Sequence, residues 1–146
     1  MNGFDPMNKL VIRGVKIVAI YKGKLVIVKQ SRAGKNQQTY ELPGGRVEHS
    51  EELVCGAIRE LKEETGLITD HLIELGTYNV PASPITITLY FTNSIVGEAN
   101  QMLDADEDIE VLYVDIQEAF NKIANATWND PRLGIGLILA RSQRLI

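Results

Sequence analysis

Apolar and polar positions change period from block to block along the 146-residue chain, and each change predicts an element. Residues 10–21 and 24–30 are rich in Val and Ile and flank a Lys22-Gly23 break, which reads as a β-hairpin. Residues 31–38 are polar, with Gly34 and Asn36, and predict a loop. Residues 39–42 form a short extended segment stopped by a turn at Pro43-Gly44-Gly45. The period then becomes helical. Ser50 is the expected N-cap, Glu51 and Glu52 fall in the first turn, where the helix dipole favours carboxylates, and Gly66 is the expected C′ residue. Between these ends Leu53, Val54, Ala57, Ile58 and Leu61 share one face, as a core-facing stripe requires.

Downstream, residues 71–78 and 85–96 read as strands around Pro81 and Pro84, and the Thr86-Ile87-Thr88-Leu89 alternation suits a half-buried strand. Residues 110–114 predict another strand, 115–124 a short helix, and 132–141 a last helix after Pro131, although Gly134 and Gly136 disfavour it. The order βββαββ(β)αα gives an α+β domain with a mixed sheet and helices packed on it. At this length the expectation is one domain over residues 1–146, with 1–8 a flexible tail.

Composition changes little: 45% hydrophobic and 23% charged residues fit ordinary burial and disfavour a disordered or fibrous chain. No apolar run approaches the roughly 20 residues of a membrane-spanning helix. The first residues lack a signal-peptide pattern, so a cytoplasmic protein without a membrane partner is expected. Cys55, the one cysteine, excludes an internal disulfide and a cysteine-based zinc site. The distribution of charge tells more than its total of −4. Residues 1–62 carry 11 basic and 6 acidic groups, 63–121 carry 12 acidic and no basic ones, and 122–146 carry 4 basic and 1 acidic. So acidic a middle repels phosphate unless a cation intervenes, which argues against nucleic acid as partner and for a divalent metal as mediator.

On a helical wheel Glu60, Glu63 and Glu64 occupy about 100° of arc within little more than a turn, with Glu64 on the edge of the apolar stripe. Three such carboxylates are either a solvated face or the site of a hard cation, for which Mg²⁺ or Mn²⁺ with oxygen ligands fits. Arg59 sits one turn before Glu63 and can orient it, and Gly44-Gly45 lets backbone approach a ligand closely.

Gly45, five residues, Glu51, seven residues, then Arg59-Glu60-Leu61-Lys62-Glu63-Glu64-Thr65-Gly66-Leu67 resembles the Nudix box with every defining position filled. A chance match at seven fixed positions is on the order of one in a billion per window. The resemblance implies a Nudix fold, a mixed sheet between helices, and Mg²⁺-dependent hydrolysis of a nucleoside diphosphate linked to another group. It implies Glu60 and Glu64 as principal metal ligands, Glu63 assisting, Gly44 contributing a backbone carbonyl, and Arg59 and Glu51 as an orienting pair. It makes a homodimer an expectation. The stretch Asp104-Ala105-Asp106-Glu107-Asp108 resembles the acidic loop that supplies the base in ADP-ribose pyrophosphatases, and makes Glu107 the candidate base. Pro81 and Ile109-Glu110-Val111 are similar to that branch too. Arg32 and Arg46, with Gly45, are candidates for the substrate phosphates. Tyr40, Tyr78 and Trp128 are either core packing or stacking surfaces for a base. Beside a nucleoside diphosphate sugar pyrophosphatase stand a nucleoside triphosphate pyrophosphohydrolase, an enzyme of capped or triphosphorylated RNA ends, and a ligand sensor without catalysis. The intact box carboxylates disfavour the sensor.

Overall fold

The computed structural model describes residues 10–31 and 37–146. Strands β1 (Ile12–Tyr21) and β2 (Lys24–Ser31) form the predicted hairpin, with Lys22 and Gly23 at φ 52° and 77° in a tight turn. There follow β3 (Gln38–Glu41), β4 (Gly44–Val47), helix α1 (Leu53–Thr65), β5 (Leu67–Thr69), β6 (Ile73–Asn79), β7 (Ile85–Thr92), β8 (Ile95–Glu98), β9 (Ile109–Val114), α2 (Ile116–Ala124) and α3 (Pro131–Ser142). The large sheet runs β3-β2-β1-β7-β6, with β4 added to β1 and β9 to β2; β5 and β8 make a separate ribbon. The β1–β7 pairing is parallel and its neighbours are antiparallel, so the sheet is mixed as expected.

Alternation along β1 divides the core. Val15, Ile17 and Ala19 face one way and pack with Ala57 and Leu61 of α1, whereas Val18 faces the other and packs with Leu133 and Leu137 of α3. Burying each such Leu or Ile contributes roughly 1.5–3 kcal/mol, so both helices are fixed on the sheet chiefly by these faces. In α3 Asp130 caps by accepting the Leu133 N–H, and Pro131 occupies the first turn. The glycines that disfavoured this helix have a packing use at Gly136: a Cβ there would stand 2.8 Å from Leu42 Cδ1. No described helix is long and apolar enough to cross a membrane.

Four expectations need correction. Gly44-Gly45 is not a turn but the start of β4, whose backbone pairs with Lys16 and Val15. Helix α1 begins at Leu53 with Glu52 as N-cap and no side-chain cap; Ser50 lies in the preceding turn, within the 48–51 segment that Arg13 and Arg59 hold by hydrogen bonds. Val54 is exposed, since the buried stripe runs instead through Gly56, Ala57, Leu61, Glu64 and Thr65. The strand expected over 85–96 breaks after Thr92, where Ser94 N–H donates to Thr92 Oγ1 and Thr69 Oγ1 donates to the Ser94 carbonyl, side-chain bonds that replace the ladder. The chain then leaves β7 and pairs as β8 with β5, a strand of three residues too short for a period to announce it.

Candidate active site

The sheet forks along β1. One edge of this strand is held by β7 from Ile12 to Ala19; the other pairs with β4 at Arg13–Lys16 and with β2 only from Ile20. Where β4 and β2 part, a cleft of about 660 Å³ opens, lined from the α1 layer by Arg59, Glu60, Glu63 and Glu64, and from the 99–108 segment by Asp104 and Glu107. The fork follows from glycine. Gly44 has φ 151°, and a Cβ on it would stand 2.0 Å from the Val15 carbonyl oxygen, so no larger residue lets β4 lie this close to β1. A Cβ on Gly45 would fall 2.7 Å from Glu60 Oε2, so the missing side chain makes room for a carboxylate.

Glu64 is the most buried of the acids, 4% exposed, because the stripe of α1 is turned so that this position lies inside. The Gly44 N–H donates to its Oε1 at 2.8 Å. Burial pushes its pKa up to about 7, against the opposing effects of the Gly44 bond and the Lys16 charge. Burial also raises Glu60, although the neighbouring Arg59 pulls the other way. Arg59 is the clamp of the group. It donates to Glu51 through Nε and Nη2 at 2.8 and 2.9 Å, and through Nη1 to Glu60 at 3.1 Å and Glu63 at 3.0 Å. The bidentate bond holds Glu51 below its usual carboxylate range and fastens the loop ahead of the helix to the helix itself.

The residues present fit a hard divalent cation. Their donors are oxygens, Glu64 carries a desolvated carboxylate that a cation would stabilise, and Gly45 leaves space beside Glu60. Among the described residues no three acidic, His or Cys side chains converge on one point; Glu60 and Glu63 each give an oxygen to Arg59, and Glu64 gives one to Gly44.

Of the other expected residues, Glu107 is exposed on the cleft rim, and its Oε1 accepts the Asp104 N–H at 2.9 Å. Arg46 is exposed and lines the cleft, with its carbonyl accepting from Arg59 Nη2 at 3.4 Å. Arg32 lies outside the described residues. Tyr40 and Trp128 are not in the cleft; they stack on each other, 5.1 Å between centroids, against the α3 core. Cys55, His49 and His71 are exposed.

Sequence reading missed three supporting residues. Arg13 donates to the carbonyls of Glu48, His49 and Glu51 and so pins the loop that carries Glu51. Lys16 is buried in the cleft floor, its Nζ donating to Glu41 Oε1 at 3.2 Å and the Leu42 carbonyl at 3.1 Å. Gln101 Nε2 donates to the carbonyls of Glu64 and Ile109, which ties the loop bearing Glu107 to the end of α1. A charge inside a Val- and Ile-rich strand was the available signal for the first two; Gln101 gave none.

A model of the NUDIX domain matches residues 11–133. The chain belongs to the Nudix family. Over 105 residues it is 33% identical to an ADP-ribose pyrophosphatase of Bacillus subtilis (strain 168), covering 70% of this chain and 57% of that protein. It is 31% identical over 109 residues to an RNA pyrophosphohydrolase of Zymomonas mobilis subsp. mobilis, covering 67% and 68%. The chain thus spans little more than half of the first relative. Among solved structures, the Nudix architecture superposes on a crystal structure of an ADP compounds hydrolase with a TM-score of 0.78 at 20% identity, over 90% of this chain and 72% of that one. The α+β Nudix fold, a mixed sheet with helices on both faces, is therefore the one the sequence led us to expect.

Proposed function

We propose that this Nudix chain is a pyrophosphohydrolase that uses a divalent cation to cleave the diphosphate of a nucleoside diphosphate linked to a second group, ADP-ribose or a related nucleoside diphosphate sugar. The observation that carries the reading is that Glu60, Glu63, Glu64 and Glu107 line one cleft, with Arg59 bonded to Glu51, Glu60 and Glu63. The sequence similarity to an ADP-ribose pyrophosphatase supports the substrate class.

Glu60, Glu63, Glu64 and the Gly44 backbone would hold the cation, Mg²⁺ or Mn²⁺. Bound there, it neutralises diphosphate charge and lowers the pKa of an attacking water. The chain's own residues supply the rest. Arg59 and Glu51 hold the carboxylates in register, so that little reorganisation is left for the reaction itself. Arg46 and Gly45 contact substrate phosphate from the β4 side, with Arg32 a further cation for it. Glu107, on the opposite rim, takes the proton of the water, its second oxygen being held by the Asp104 N–H.

The test is a hydrolysis panel with Mg²⁺ or Mn²⁺: ADP-ribose, other nucleoside diphosphate sugars, nucleoside triphosphates and triphosphorylated RNA, with Glu64→Gln and Glu107→Gln as controls. Turnover of the sugars, abolished by Glu64→Gln and lowered at least about 100-fold by Glu107→Gln, is expected. Turnover of triphosphates alone would replace the substrate class. A folded, cation-binding protein silent on the whole panel would overturn the enzyme reading.

A further inference from the structure

A second concavity, of about 410 Å³, lies at the far end of β1 from the cleft, bordered by Tyr21, Lys22, Lys24, Glu98 and Tyr113. The cleft draws on β1 as far as Lys16, whereas Tyr21 is the last residue of the strand. At about 3.3 Å per residue, roughly 17 Å of strand separates the two. Tyr21 stands opposite Lys24 of β2, and Tyr113 of β9 opposite Val26, so alternation puts both rings on the face of the sheet that carries α1. The rings are tilted against each other, 6.2 Å between centroids. At the Tyr21 end the Lys22 Nζ stands 5.1 Å over the ring. At the Tyr113 end lies Glu98 of β8, whose charge adds to burial in raising the phenol. The outcome is a row of cation, ring, ring and anion. It is open to solvent: Tyr113 is 45% exposed, and Val96, on the same face of β8 as Glu98, is 59% exposed.

The charges decide what fits such a row. A nucleic-acid strand stacks on aromatic rings in a cationic groove, but here Glu98 ends the row and Lys24 is bonded to Asp115. A cationic ligand finds the Tyr21 ring already covered by Lys22. A row with opposite charges at its two ends is complementary to itself reversed, which is what a two-fold contact between identical chains requires. We propose that a second copy of this chain docks here about a two-fold axis, with Tyr113 against its counterpart and Lys22 of each chain against the partner's Glu98. The row is much smaller than the roughly 20–30 residues a side of a standard interface, so the dimer forms in a concentration-dependent equilibrium. Each cleft, built from one chain and remote from the contact, stays open.

Sedimentation velocity on the full chain between about 1 μM and 1 mM tests the contact, with no turnover required, so its result is separate from that of the hydrolysis panel. The parent should pass from monomer to dimer over this range. Lys22→Glu and Glu98→Lys each set like charges against each other at both ends of the row, and each should weaken the dimer at least about tenfold. Mixed together, these two variants should associate again to within about threefold of the parent, because in the mixed dimer both ends pair opposite charges. Tyr113→Ala should also weaken the dimer, and mixing with either charge variant should not restore it. Recovery on mixing is possible only for folded chains in direct contact, so it separates loss of the interface from loss of the fold. A parent that stays monomeric throughout would overturn the proposal. So would a dimer indifferent to both reversals, which would use another surface, or reversed variants that fail to recover on mixing.

Discussion

Glu64→Gln isolates the electrostatic cost of the site. Buried Glu64 has a pKa raised from 4.5 to about 7, with desolvation the main cause. The folded chain therefore holds a proton that the unfolded chain has released, so this group favours the folded state fully below pH 4.5. The contribution is lost as pH rises through about 7. A shift of this size corresponds to about 3 kcal/mol between pH 4 and pH 8, a large part of the 5–15 kcal/mol typical of a domain. Gln keeps an acceptor for the Gly44 N–H and does not titrate. Urea unfolding in EDTA across this range should then show the stability of Glu64→Gln, relative to the parent, growing by about 3 kcal/mol as the pH is raised. Saturating divalent cation should close the gap, because at about 100 times Kd it stabilises the parent by roughly 2.7 kcal/mol and the variant by less. Parallel pH profiles in EDTA would refute the reasoning and mean that Glu64 ionises without strain in the fold.

Gly44→Ala should destabilise by at least about 3 kcal/mol, since its Cβ collides with the Val15 carbonyl at a φ of 151°; thermal unfolding reads this directly. Gly45→Ala meets only the flexible end of Glu60, so its stability should fall by less than about 1 kcal/mol while cation affinity or kcat drops roughly 10- to 100-fold. Arg59→Ala should cost about 1–2 kcal/mol, the partial exposure of the clamp limiting the loss. Arg59→Lys should not restore it, because a lysine cannot reproduce the fork on Glu51; a double-mutant cycle with Glu51→Ala should show the two effects as strongly non-additive. Gln101→Ala should lower turnover through Glu107 with KM and cation affinity little changed, and steady-state kinetics separate it from a general loss of fold.

The sequence by itself determined the elements whose period is long enough to read, the β1–β2 hairpin, α1 and the strand that became β7, because each buries a regular face. It also determined the chemistry of the candidate site at the level of residue type. The spacing of Glu60, Glu63 and Glu64 is a property of a helix, and holds wherever that helix is packed. Tertiary structure decided what that spacing could not. Which side of α1 turned inward depended on the packing of Ala57 and Leu61 against β1, and this buried Glu64 while exposing Val54. The N-cap is Glu52 rather than Ser50 in a structure where Arg13, some 40 positions earlier, and Arg59 both hold the preceding loop at Glu51. The glycine pair became a strand because β1 offered its backbone an edge, a pairing that local turn chemistry does not encode. The part of the cleft lined by Ile12, Ile85, Ile87 and Arg132 has no sequence motif at all. Its parts come from three elements that meet only when the parallel β1–β7 pairing and the docking of α3 bring the chain's beginning, middle and end to one place.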